Sequence, residues 1–383
     1  MELARKESTR ILSNLNSPIE SFICQALRGE PAPWDAIDCE ISDAEFITMC
    51  RHHGVQALLC HCMHERPEWF SWPNNVRQEL SAMSQANVAQ ELIRNHHLNG
   101  LLKIFLLRNI RCLLLKGEAL ARTHYAAPGV RTRGDCDLFF DLREIVEARQ
   151  AVLDAGLRIV SPVYKSHQFT VRRPVKGHDV IEFDVHSRIL NHPRYARVLS
   201  FDEAFNNSVP VPGLSTSRAL HPVDALLHAC LHRVANKRHD PDRLIWIYDI
   251  HILVDQMTVA DLREFAKKVM KKNVQIECLE GLLIAQDCFH TNIPREVVED
   301  LMGHEASSYA AWRRRFAHSN LSLLIDDFRV LPSFRSRWGL LRELFFPSSD
   351  SLMRRYKKTN RMWLPYLYLN QVLGGIVRRL SLH

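Results

Sequence analysis

The chain has 383 residues, 46% of them hydrophobic and 24% charged, which excludes a disordered chain and supplies enough material for several packed layers. A formal net charge of +7 suits a polyanionic substrate such as a nucleotide, and permits nucleic acid without requiring it. The ten cysteines are scattered, and the opening residues MELARKESTR lack the apolar stretch of a signal peptide, so a reduced, cytoplasmic protein is expected.

Residues 1–82 read as short helices divided at Pro18, Pro31-Ala32-Pro33 and Pro67. A long amphipathic helix is expected over about 82–108, with Val88, Leu92, Leu101, Leu102 and Phe105 as apolar positions. Residues 110–115 form a short apolar strand running into Lys116-Gly117-Glu118, and a helical segment follows over 119–125. The next strand opens at Gly134-Asp135-Cys136-Asp137-Leu138. A helix over 142–155 ends at Gly156, a suitable C-terminal glycine. Strand-like segments at 157–160, 168–172 and 180–186 complete the set. After Pro222 the chain turns helical, over 223–235, 243–254 and further helices between 259 and 301, before a basic, aromatic remainder. Residues 362–377 are mostly apolar but are interrupted by Pro365, Asn370 and Gln371. They fall short of the roughly 20 apolar residues of a spanning helix, so no membrane span is expected.

The chemistry concentrates in the middle third. On a strand, side chains at i and i+2 share a face, so Asp135 and Asp137 stand side by side while Cys136 and Leu138 point into the core. Two carboxylates that close repel unless a cation lies between them, and Mg²⁺ is the natural partner of two hard oxygens and a substrate phosphate. Alternatively, the two aspartates are simply solvated at a strand edge. In VIEFDVH, Ile181, Phe183 and Val185 face inward, and Glu182, Asp184 and His186 share the other face. Asp184 is thus a candidate third carboxylate. The strand–glycine turn–helix at 110–125 offers backbone N–H groups to phosphate, with Lys116 adding a point charge.

Asp224, His228 and His232 lie four residues apart on the helix after Pro222, either hydrogen-bonded locally, lining the nucleotide cleft or contributing to a zinc site. Asp249 falls in a helix that is apolar nearly all round, so it must be paired, with Arg243, His228, His232, Lys116 or Arg131. The loop Asn236-Lys237-Arg238-His239 is basic and is either a solvated face or a contact for triphosphate.

Taken together, LLLKGEAL, VRTRGDCDLFF and IEFDVHSRI resemble the DNA polymerase beta-like nucleotidyltransferase superfamily, and more narrowly its bacterial family of uncharacterised nucleotidyltransferases. The resemblance implies an α+β protein: a small mixed sheet over 109–220, flanked by helical regions at 1–108 and 221–383. It implies that Asp135, Asp137 and Asp184 hold two Mg²⁺ ions, with Mn²⁺ as an alternative. It also implies transfer of a nucleoside monophosphate from a triphosphate such as ATP to an acceptor hydroxyl, with Asp184 helping to deprotonate that hydroxyl. The resemblance places Lys116, Gly117, Glu118, Arg131, Arg133, Gly134, His232 and Asp249 around the nucleotide. The turn departs from the superfamily pattern, because glutamate replaces the small residue after the glycine and removes the serine that normally meets phosphate. A catalytically degenerate nucleotide-binding or partner-binding protein of the same fold is the alternative.

Overall fold

The computed structural model describes residues 17–37, 40–160, 168–173, 181–192, 194–236, 242–302 and 360–370, with isolated positions between 328 and 356. The basic loop at 237–239 and residues 371–377 of the apolar C-terminal stretch lie outside the described residues.

The N-terminal region is helical: α1 (Pro18–Leu27), α2 (Asp43–His53), α3 (Gln56–Met63) and the long α4 (Asn74–Leu107). Ser17 and Ser42 cap α1 and α2, each in a capping box with the glutamate three residues on. Pro18 therefore starts a helix rather than dividing two, its missing N–H being one that a first turn leaves unpaired anyway. α4 begins eight residues earlier than expected, because Val76 and Leu80, one turn apart, are already buried. Only its C-terminal half carries the expected apolar stripe: Leu101, Leu102 and Phe105 are buried, whereas Val88 and Leu92 are exposed and line a cavity of about 430 Å³ beside α3.

The centre is a seven-stranded mixed sheet in the order β3-β4-β5-β2-β1-β7-β6. Its strands are β1 (Cys112–Leu114), β2 (Asp135–Phe140), β3 (Arg158–Ile159), β4 (Gln168–Arg173), β5 (Ile181–His186), β6 (Val209–Val211) and β7 (Leu214–Ala219). Helices α5 (Lys116–Thr123), α6 (Ile145–Asp154) and α7 (Phe201–Asn206) are interspersed. β2 runs antiparallel to β1 and parallel to β5. The β6–β7 hairpin and α7 were not anticipated from sequence.

Alternation along the strands assigns the two faces. Cys136, Leu138, Phe140, Phe183 and Val185 join Leu98, Leu101, Phe105 and Val152 in one core, beneath α4 and α6. Leu113 and Phe139 face the other way, into the larger helical core. The remaining polar row of that second face is where the site forms. Helices α8 (Pro222–Asn236), α9 (Leu244–Asp255), α10 (Val259–Lys271), α11 (Gln275–Phe289) and α12 (Arg295–Met302) pack with α1–α3 in that core. The result is an α+β fold with helical flanks on both sides of the sheet. Among the described residues, no helix is long and apolar enough to cross a membrane.

Candidate active site

The register sets the geometry. On neighbouring parallel strands, Asp137 pairs with Asp184, Asp135 with Glu182, and Phe139 with His186. Asp137, Asp184 and His186 each offer a ligand atom, and those atoms all lie within 4.8 Å of one another. Asp184 is held by Thr170 and Gln168 of the adjoining β4, whose side chains donate to it at 2.7 and 3.4 Å. Asp135 lies one pleat outward, about 7 Å along β2, at the solvent-exposed rim. Glu182, its register partner, is paired with Arg172 of β4.

Asp137 is the electrostatic centre. Its Oδ1 accepts from Lys116 Nζ at 2.6 Å and lies 2.8 Å from His186 Nε2. Burial alone would raise this carboxyl, but the Lys116 charge and the His186 hydrogen bond hold it well below the ordinary range. Lys116 is shifted upward: burial opposes its charge, and Asp137, Asp135 and Asp184 outweigh that cost. Asp135 is raised by desolvation in the cleft and by repulsion from Asp137 and Asp184, against the attraction of Lys116. The three carboxylates therefore carry more negative charge than one lysine neutralises. Two carboxylates and an imidazole gathered at ligand distance beside this excess are suited to a divalent cation.

The glycine turn closes the other side. Leu115 N donates to Asp137 O at 3.0 Å, so the chain leaves β1 directly beside the carboxylates. Lys116 then adopts φ 49°, the left-handed region, which costs a non-glycine residue about 1–2 kcal/mol. Strain of this kind, at the residue whose side chain reaches Asp137, marks an imposed local geometry. No side chain caps α5, so its first N–H groups remain available to an anion. Gly117 leaves no space for a side chain, because a Cβ there would meet Arg131 Nη1 at 2.8 Å. Gly134, by contrast, is exposed in open space.

The other expected site residues divide into supports and cleft wall. Arg131 is buried and forms a two-pronged pair with Asp249, Nη2 to Oδ2 at 2.6 Å and Nε to Oδ1 at 3.2 Å; Tyr125 also donates to Asp249 at 2.7 Å. Of the five partners considered for Asp249, Arg131 is therefore the ion-pair partner. Glu118 and Arg133 are buried against each other at 2.9 Å. Glu118 also takes Arg122 at 2.7 Å, and Glu91 of α4 binds both Arg122 and Arg133. Arg94 closes the network on Glu91 and on the Arg133 carbonyl. With every carboxylate oxygen of the two glutamates engaged, this group braces the loop that enters β2. The sequence offered no signal for it, since Glu91, Arg94 and Arg122 look like ordinary surface charges.

On α8, Asp224 turns away to pair with Lys268 of α10. His228 is buried and lies 3.2 Å from the Ile189 carbonyl; His232 accepts from Asn236 at 2.7 Å. Burial and the nearby Lys116 charge push His228 down to about 3 and His232 well below the ordinary range. Both are therefore neutral at physiological pH and form an uncharged wall beside Lys116. Alternation puts His186 on the Asp184 face, and the structure sets it against Asp137.

An acidic pair on adjacent strands, beside a lysine–glycine turn and an uncapped helix start, is an arrangement suited to a metal ion and a phosphate group. The chain belongs to the family of uncharacterised nucleotidyltransferases, whose model matches residues 40–290, and it is an enzyme of that class. No curated protein matches it significantly.

Proposed function

We propose that the protein moves a nucleoside monophosphate from a nucleoside triphosphate such as ATP to an acceptor hydroxyl and releases pyrophosphate, with a divalent metal ion, Mg²⁺ or Mn²⁺, as its cofactor. Asp137 and Asp184, with Asp135 at the rim, would hold the metal. The observation that supports this reading is the register pairing of Asp137 with Asp184, with Lys116 set on the same carboxylate. When bound, the metal would supply Lewis-acid stabilisation of charge on the triphosphate oxygens.

The residues of the chain then have distinct tasks. Lys116 and the first N–H groups of α5 bind the β and γ phosphates at the mouth of the turn. Gly117 lets Arg131 approach that turn, and Asp249 and Tyr125 fix the guanidinium so that its charge adds to the anion site. Glu118 and Arg133 act one layer further out, as braces. Asp184, oriented by Thr170, accepts the proton of the attacking hydroxyl. His228 and His232, kept neutral, exclude water without adding charge. The acceptor is a small molecule, a protein or peptide side chain, or an RNA end, and the reaction we propose takes place in the cytoplasm. Incubation with each α-labelled triphosphate, Mg²⁺ and a cell extract identifies it by the species that takes label. The proposal expects one labelled product that disappears with Asp137→Asn, and fails if no species is labelled with any of the four.

A further inference from the structure

The inner end of the acidic row is an imidazole. β5 presents Asp184 and His186 two residues apart on one face, and His186 is only 4% exposed. Its Nε2 is directed at the shared space, 2.8 Å from Asp137 Oδ1, and the ligand atoms of Asp137, Asp184 and His186 lie within 4.8 Å of one another. Two atoms each bonded to one ion at about 2.0–2.2 Å stand at most roughly 4.4 Å apart, so small side-chain movements gather all three around a single ion. Asp135, a pleat outward at the exposed rim, is not part of this compact group.

Two explanations of the imidazole compete. In the first it only orients Asp137. That oxygen is already held by Lys116 at 2.6 Å, so a second donor is not needed to fix its position. In the second it is a ligand. With its proton on Nδ1, Nε2 offers a lone pair to the space between the carboxylates, and the histidine's inward place on a rigid strand fixes its aim.

We infer that His186 is a nitrogen ligand of the divalent metal, completing an Asp137–Asp184–His186 set that favours Mn²⁺ over Mg²⁺. This rests on the metal-dependent reading above and adds to it the identity of the third donor and of the preferred ion. Mg²⁺ takes oxygen donors and parts with water reluctantly, whereas Mn²⁺ accepts carboxylate and imidazole together. The preference follows from one nitrogen in the set.

Pulsed electron-spin-echo spectroscopy of the Mn²⁺-loaded full chain reads the nitrogen directly, without turnover. The wild type shows ¹⁴N modulation; His186→Gln, which keeps an amide donor for Asp137, loses it. Calorimetry shows Mn²⁺ affinity falling at least about tenfold in that variant, with Mg²⁺ affinity changing less. His228→Gln and His232→Gln keep the modulation, which carries the assignment even where His186→Gln does not fold. Mn²⁺ bound without nitrogen modulation, or modulation that survives His186→Gln, overturns the inference and leaves the carboxylate site standing. Failure of the wild type to bind Mn²⁺ at all overturns both the inference and the metal-dependent reading.

Discussion

Two side chains on β5 share one face but have different partners. Asp184 faces Asp137 and is oriented by Thr170, whereas Glu182 is paired with Arg172 on the neighbouring strand. Asp184→Asn should lower the rate at least about a hundredfold, on the order of 3 kcal/mol of barrier, and Glu182→Gln should change it less than about fivefold. Steady-state kinetics with the two effects reversed would place the wrong carboxylate at the reaction. His228 gives a second test, through stability. Its folded pKa of about 3 lies below the ordinary histidine value, so the unfolded chain binds the proton more readily. The stability of the neutral form is complete above about pH 6.5 and is lost progressively as pH falls toward 3. Near pH 5.5 the loss from this one residue is about 1 kcal/mol, so His228→Leu should flatten the decline in melting temperature between pH 7 and 5.5. An identical decline in the variant would show that His228 titrates normally.

At the scale of elements, the Arg131–Asp249 pair ties the turn before β2 to α9, with Tyr125 on the same carboxylate. Breaking a buried pair leaves one charge unpartnered, which costs about 3–5 kcal/mol. Asp249→Ala should therefore lower unfolding free energy by that order in urea titrations; a loss below about 1 kcal/mol would mean that Arg131 finds water or another partner. The strands that build the site were legible in the sequence because one of their faces is purely apolar: Phe183 and Val185 alternate with Asp184 and His186, and a slip of one residue would drive Asp184 and His186 into that apolar core. The β6–β7 hairpin was not legible. β6 contains Pro210, which an edge strand tolerates but which weakens its signature, and β7 is largely polar, with Leu214 and Ala219 among its buried positions. The Glu91–Arg94–Arg122–Glu118–Arg133 network was hidden for a different reason. Its members come from α4, α5 and a loop, and only tertiary packing brings them together.

Across the fold, the sheet brings its acidic row to the same place as the lysine–glycine turn, α8 adds two neutral histidines, and Asp249 of α9 positions Arg131. A ligand that binds this assembled site stabilises only the folded state, so millimolar triphosphate with Mg²⁺ should raise the melting temperature by about 2 °C or more. Lys116→Ala should remove most of that rise, because it deletes the charge beside the uncapped start of α5. No rise with any of the four common triphosphates would contradict nucleotide binding at the turn. Sequence patterns located the carboxylates, the lysine and the turn, since each is set by local alternation or spacing. How the arginines pair depended on contacts distant in sequence, such as Arg131 with Asp249, 118 positions apart, and Arg133 with Glu91, 42 apart.

Nucleotidyl transfer differs from other phosphoryl chemistry in which phosphorus moves. Parallel reactions with α-labelled and γ-labelled triphosphate, Mg²⁺ and cell extract read it directly. Nucleotidyl transfer predicts that α label appears on the acceptor and γ label in pyrophosphate, with both signals lost in Asp137→Asn and Asp184→Asn. Label from the γ position on the acceptor would rule out nucleotidyl transfer and assign the site to phosphoryl transfer of a different kind.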